Sequence, residues 1–289
     1  MRISEMHGRG RPVFSFEFFP PKSDEGVAQL MQSVADLKAA LAPNFVSVTN
    51  GAGGSTRART LEVVMRIQRE LGVTTMAHLT CVGVSESDLC EELGTLIGNG
   101  VENILALRGD PPKGESEFKP FAGGFAHASD LVEYLENNYQ LDIGAACYPE
   151  KHVESSSAED DLKWTKLKVD NGALFLVTQL FFDNADYFRF VARARAARIR
   201  VPIVPGIMPI TNVAQVERFT KMCGAAIPGE LGERLRRVKD DPAAVMATGI
   251  EHAITQCRGL LEGGAPGLHF YTLNKSFATR SVLAAVRRV

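Results

Sequence analysis

Glu17 sits in the run Phe16-Glu17-Phe18-Phe19-Pro20-Pro21, an ionisable group among phenylalanines at the end of a strand-like segment that two prolines stop. Desolvation disfavours a carboxylate, so the Glu17 carboxyl is expected to hold its proton toward neutral pH. An acid in that state suits general-acid catalysis. A solvated strand end, or a nearby arginine, would account for the same residue without chemistry. The second sharp signal is Arg108-Gly109-Asp110-Pro111-Pro112. A residue before proline is driven out of the helical region, so a stiff turn should aim the Asp110 carboxylate. Gly109 would let the backbone come close to a planar ligand. A surface Arg–Asp pair is the plain alternative.

Other residues carry weaker signals. Gln179 lies in an apolar run, between Leu174–Thr178 and Phe181-Phe182. An amide buried there unbonded costs roughly 1–3 kcal/mol. It donates and accepts together, which suits the edge of a heterocycle such as a pterin or flavin, or equally a satisfied core amide. His78 is interior to the strand-like Met76–Thr80, and no His, Asp or Glu partners stand at ligand spacing, so no metal is expected. Asp161, Trp164 and Lys168 fall at i, i+3 and i+7 on one helix face, ordinarily a solvated charged face. Phe219 would ordinarily pack with Val216, and Lys275 would ordinarily be a surface lysine.

Eight short apolar runs must position these groups: Val13–Phe19, Phe45–Thr49, Thr74–Thr80, Val101–Leu107, Asp142–Cys147, Ala173–Leu180, Val201–Pro205 and Leu268–Thr272. Their nearly continuous apolar character is that of parallel strands covered on both faces. Amphipathic stretches separate them. Leu61, Val64, Met65 and Leu71 share a face, with Gly72 suited to end that helix. Ser85 with Asp88, and Ser156 with Glu159, resemble capping boxes. Thr211 can cap a helix after the seventh strand, Pro242 can open another, and helices are expected near 211–224, 229–238 and 242–261. Eight βα units in series predict an α/β fold of the (β/α)8 TIM-barrel type, one domain over 1–289 with residues 1–12 as a flexible arm. An open doubly wound sheet is disfavoured because no strand runs into G-x-G-x-x-G; the glycines of Asn50-Gly51-Ala52-Gly53-Gly54 have the wrong spacing. In such barrels chemistry gathers where strands end. Those positions are mostly polar here: Glu17, Thr49-Asn50, His78 and Thr80, Arg108-Gly109-Asp110, Tyr148-Pro149-Glu150, Gln179, Pro205-Gly206, and Tyr271 with Asn274.

Composition narrows the class. The 289 residues are 45% hydrophobic and carry a formal net charge of -2, with no basic stripe for nucleic acid. Met1 to Pro12 is polar and does not read as a signal peptide, and no apolar stretch reaches the roughly 18 residues of a membrane span. Five separated cysteines without C-x-x-C suggest neither a disulfide framework nor a zinc site, so a reducing cytoplasm is expected.

Taken in order, the motifs resemble the methylenetetrahydrofolate reductase family in its bacterial single-domain form. They are Ser15–Pro21, Val46–Thr49, Ala77–Thr80, Leu107–Asp110, Ala146–Glu150 with His152, Lys168–Asp170, Thr178-Gln179 with Phe182-Asp183, Pro205–Pro209 and Phe270–Asn274. The resemblance runs from about residue 13 to the end. It implies non-covalent FAD, reduced by NADH or NADPH, which then leaves so that 5,10-methylenetetrahydrofolate can take the same site and become 5-methyltetrahydrofolate. It implies one catalytic domain without the regulatory C-terminal extension of eukaryotic relatives, and a homo-oligomer, tetramer or dimer. A flavin-free pterin- or folate-binding barrel, acting as a methyltransferase or a direct-hydride reductase, is the alternative.

By position, Glu17 resembles the family's general acid, kept protonated by its apolar neighbours, and Asp110 the carboxylate that tunes the flavin and stabilises an iminium cation. Thr49, His78, Arg108, Gly109, Asp110, His127, Ala128, Tyr148, His152, Asp161, Trp164 and Lys168 would hold FAD. Gln179, Gln215, Phe219 and Lys275 would join Glu17 around the substrate. Three positions depart from the pattern. Trp164 stands where relatives often have a small polar residue, His127 replaces a common tyrosine, and Lys275 replaces a frequent arginine.

Overall fold

A computed structural model describes residues 1–51, 56–111, 114 and 118–287. Residues 112, 113 and 115–117 of the loop after Asp110, and residues 52–55 with the glycines at 53 and 54, lie outside the described residues. Nine strands form one parallel sheet: β1 (Val13–Phe18), β2 (Phe45–Val48), β3 (Thr75–Thr80), β4 (Asn103–Leu107), β5 (Asp142–Cys147), β6 (Phe175–Thr178), β7 (Ile203–Val204), β8 (Gly206–Ile207) and β9 (Gly267–Tyr271). Neighbours run β7-β6-β5-β4-β3-β2-β1-β9-β8. The eight expected runs are all present, and the extra strand comes from Pro205. It divides the seventh stave into β7, which pairs with β6, and β8, which pairs with β9. That one interrupted stave joins the two ends of the sheet and makes the barrel. Proline has no N–H for the ladder, so side chains serve the joint. The Thr178 hydroxyl accepts from the Gly206 N–H at 2.9 Å, and Tyr271 donates to the Thr178 carbonyl at 2.6 Å.

Eleven helices surround the sheet in the described residues. Those that matter below are α1 (Ile3–His7), α2 (Asp24–Leu41), α5 (Ala128–Asn138), α6 (Ala158–Asp170) and α8 (Val213–Cys223). Ser85 and Asp88 form the expected capping box, and Pro242 opens its helix as expected. Two caps move by one residue. Ser157, not Ser156, accepts from Asp160 to start α6, and Asn212, not Thr211, accepts from Gln215 to start α8. Each true cap is the residue in extended backbone just outside the helix, where a short polar side chain reaches the N2 or N3 amide.

Strand alternation sorts the core into two layers. On β1, Phe14, Phe16 and Phe18 join the large cluster between sheet and helices, with Leu30, Val34 and Leu37 of α2. Phe16 stacks on Phe270 with centroids 5.1 Å apart. Burying each such ring is worth roughly 1.5–3 kcal/mol. Val13, Phe45, Met76, Leu105 and Phe175 form a separate cluster inside the lower barrel, with Ile3 and Met6.

That inner cluster overturns the expectation of a flexible arm at 1–12. Residues 3–7 form α1, and Ile3 and Met6 are buried against the barrel interior. Inward polar groups at the starts of β4 and β5 hold the helix. Asn103 accepts from the Ile3 N–H at 2.9 Å, and Asp142 accepts from the Ser4 N–H at 2.6 Å and the Ser4 hydroxyl at 2.8 Å. A carboxylate on the first free amides of a helix satisfies both their hydrogen bonding and their dipole. The lower end of the barrel is thus plugged.

Candidate active site at the barrel mouth

At the opposite end the inward positions turn polar. Register sets Glu17 of β1 beside Ser47 of β2 and Tyr271 of β9. Glu17 is 7% exposed, and its Oε2 lies 3.3 Å from His269 Nε2 and 3.4 Å from His78 Nε2. The shielding expected from Phe16 and Phe18 is corrected here. Both rings turn out to the helix layer, and Glu17 faces two imidazoles.

His269 escaped the sequence reading. Its second nitrogen, Nδ1, is 2.7 Å from the Ser15 hydroxyl, giving a chain Ser15–His269–Glu17. Two proton arrangements satisfy it. Either Ser15 donates to Nδ1 and the Nε2–H donates to a Glu17 carboxylate, or a protonated Glu17 donates to Nε2 and the Nδ1–H donates to Ser15. The alternation Leu268-His269-Phe270-Tyr271 was the available signal, since it sends His269 and Tyr271 inward together. Tyr271 packs edge-on against His269 with centroids 5.5 Å apart, and burial raises its phenol well above the usual range, with Glu17 and Tyr148 adding to the rise.

His78 Nε2 contacts Glu17 but lacks hydrogen-bond geometry, and it has no partner among the described residues. Ser47 Oγ, Thr49 Oγ1 and Asn50 Oδ1, from the end of the neighbouring strand, are likewise buried and unpartnered. Native proteins rarely leave such groups unpaired, so a run of them along β2 and β3 fits a polar ligand in the mouth. Thr49 and His78 both belong to this run.

Beside the mouth a cleft of 210 Å³ opens between the ends of β4 and β5 and the helices α5 and α6. Its lining contains Arg108, His127, Ala128, Tyr148, His152, Asp161, Trp164 and Lys168, all singled out from the sequence. Lys168 is not on a solvated face. It is 8% exposed, donates to the Ala146 carbonyl at 2.6 Å and lies 5.9 Å over the Tyr148 ring. Burial lowers its pKa, while burial raises that of Asp161, opposed by the charge of Lys168. His127 and Trp164 meet with ring centroids 4.7 Å apart.

The remaining candidates lie outside that lining. Gly109 has φ +87°, and a Cβ there would lie 2.7 Å from Val82 Cγ1. A side chain there would run into protein on the Val82 side, so both the backbone angle and the packing call for glycine. Asp110 is exposed, with Pro112 beyond the described residues. Gln179 is half-buried, and its Oε1 accepts from the Leu180 N–H at 2.8 Å, leaving the amide nitrogen to donate elsewhere. Gln215 and Phe219 lie on α8, and Phe219 packs on the cluster of Leu180, Phe182, Met208 and Val216, as ordinary packing would have it. Lys275 is exposed beyond β9. The loop before it is clamped. Leu273 and Asn274 take left-handed backbone at φ 50° and 58°, and the Asn274 amide bonds both the N–H and the carbonyl of Phe19 at 2.8 Å.

Four imidazoles, His7, His78, His152 and His252, are held below their usual pKa by burial, His78 at about 4. The unfolded chain protonates them from about pH 6.5, so their contribution is complete above that pH and is lost as pH falls toward 4. For His78 alone the loss is on the order of 3 kcal/mol. Melting temperature should fall steadily from pH 6.5 to 4, and His78→Asn should flatten that limb. An identical limb in the variant would exclude His78 as its source.

No helix of the described residues is long and apolar enough to cross a membrane, and no group of three His, Cys, Asp or Glu in them could hold a metal ion. Solved structures share the architecture. A Clostridium thermocellum protein, described as binding two copies of 5-methyl-5,6,7,8-tetrahydrofolic acid, matches with a TM-score of 0.62 at 16% identity, covering 98% of this chain and 96% of that one. Among curated relatives, the probable methylenetetrahydrofolate reductase (NADH) of Oryza sativa subsp. japonica is 42% identical over 98% of this chain. The chain spans about half the length (49%) of that plant protein. The 5,10-methylenetetrahydrofolate reductase of Escherichia coli K12 is 37% identical over 93% of this chain and 88% of its own length. The methylenetetrahydrofolate reductase family model matches residues 2–287. With that match over nearly its whole length, this chain belongs to the methylenetetrahydrofolate reductase family.

Proposed function

We propose that the chain reduces 5,10-methylenetetrahydrofolate to 5-methyltetrahydrofolate at the expense of NAD(P)H, using FAD. One observation carries the reading. Eight residues that the sequence offered as flavin contacts, drawn from β4, β5, α5 and α6 and their loops, line one cleft beside the buried Glu17. Bound there, FAD would carry hydride from the pyridine nucleotide to the folate. Arg108, His127, Tyr148, His152, Asp161 and Lys168 would hold its extended portion in the cleft. Thr49 and His78 would meet it at the mouth with their unpartnered atoms.

The protein's own part is positioning and proton supply. Glu17 faces the barrel mouth, and hydrogen bonds link it through His269 to Ser15; from there it would give a proton to a substrate in the mouth. Given to the substrate, that proton would open the five-membered ring of the folate and leave a cation ready for hydride. Asp110 would stabilise that cation, its charge being felt at both Arg108 and Tyr148. The Gln179 amide nitrogen would donate to the pterin edge, Gln215 and Phe219 would form the wall from α8, and Lys275 would meet a carboxylate of the substrate. Nucleotide and folate would occupy the mouth in turn, and the active form would be a homo-oligomer.

The test is direct. The purified protein should show a flavin spectrum, bleach anaerobically with NADH or NADPH, and recover colour with methylenetetrahydrofolate. A colourless protein that neither quenches FAD fluorescence nor consumes NAD(P)H would sink the reading.

A further inference from the structure

Arg108 is already engaged. Its guanidinium forms a two-point ion pair with Glu154, at 2.5 Å to Oε2 and 2.7 Å to Oε1. Both residues line the cleft beside the barrel mouth. Arg108 is otherwise well held, packed at 4.9 Å over the Phe118 ring with its side chain 22% exposed. Glu154 is the looser partner, with its side chain 52% exposed. Its backbone is fixed, since its N–H donates to His152 Nδ1 at 3.2 Å and the next N–H donates to the His152 carbonyl at 3.1 Å. The carboxylate can therefore leave Arg108 by side-chain rotation, with no movement of the loop.

A carboxylate on the two outer nitrogens of an arginine has the geometry that a phosphoryl group would take there. We infer that Glu154 is a resident stand-in for the phosphates of the ligand, occupying the Arg108 anion subsite until a phosphoryl group displaces it. The inference rests on the flavin reading above and adds a residue to which that reading gives no role. Two consequences follow from exchange. Binding of a phosphate-bearing ligand must break the Arg108–Glu154 pair, so the intrinsic affinity of the subsite is masked. The freed Glu154 carboxylate then turns to solvent, where an exposed ion pair gives up little.

The sign of the effect is unusual for a residue lining a binding cleft. Glu154→Gln should tighten FAD binding by roughly twofold to fivefold, the worth of a well-formed exposed pair. Riboflavin, which carries the same ring system without phosphates, should bind both proteins equally. Titration of the apoprotein with FAD, riboflavin and inorganic pyrophosphate, followed by calorimetry, reads all three. Glu154→Asp, too short to span the same gap, should tighten FAD in the same direction and guards against an effect peculiar to glutamine. Melting curves check that both variants fold. Unchanged or weaker FAD binding in both variants overturns the inference, and so does a gain that riboflavin shares. If neither protein binds FAD but pyrophosphate binds Glu154→Gln more tightly, the stand-in survives and the flavin reading fails. If neither ligand binds either protein, both fall.

Discussion

Glu17→Gln is expected to separate the two half-reactions. Reduction of the flavin by NAD(P)H should stay within about threefold of the parent, because no proton from Glu17 is used there, whereas folate reduction should fall by roughly 10²- to 10⁴-fold, the range of a positioned general acid. The substitution keeps size and hydrogen-bonding capacity in a site where Oε2 meets two imidazoles at 3.3 and 3.4 Å, so the fold should stand. Stopped-flow measurement of each half-reaction decides it. Equal loss in both would make Glu17 a structural residue.

The second large effect belongs to the cleft. Lys168→Met removes the donor to the Ala146 carbonyl and a positive charge that acts on Asp161, which is 5% exposed. An unbonded carbonyl in that setting costs roughly 1–3 kcal/mol, and the Asp161 carboxyl, already raised by burial, should be raised further without the opposing charge of Lys168. FAD affinity should drop by roughly tenfold to a hundredfold, equivalent to a lost hydrogen bond to a charged group. Equilibrium dialysis against FAD measures this. A variant that melts lower but retains flavin as tightly as the parent would assign Lys168 to the fold alone.

The barrel was legible because its strands are apolar on both faces and its caps are local. Ser85, Asp88 and Pro242 needed only their near neighbours to be read correctly. The division of the seventh stave was not legible, since Val201–Pro205 reads as one strand ending at the proline, and the short strand beyond it is recognised only by its pairing with β9. The N-terminal helix was missed for a related reason. Five residues are too few for a clear helical period, and what holds them, Asn103 and Asp142, lies about a hundred positions away. Within the site, several residues singled out at strand ends and on the helices that follow are gathered by the fold around one cleft. Side-chain facing was harder. Phe16 and Phe18 suggested an apolar pocket for Glu17, yet alternation sends them outward, and the group that actually meets Glu17 arrives from β9. At Gly109 the sequence shows a glycine but not its packing reason, which is Val82 standing where a side chain would go.

A hoop is weakest at its joint. Here the joint is two residues either side of Pro205, stitched to its neighbours by one threonine hydroxyl and one phenol in addition to a few main-chain bonds. It lies between the Gln179 end of β6 and the Tyr271 end of β9, one strand away from the cleft between β4 and β5. The function proposed above would use the two flanks differently, with a resident group held between β4 and β5 and two ligands received in succession beside the joint.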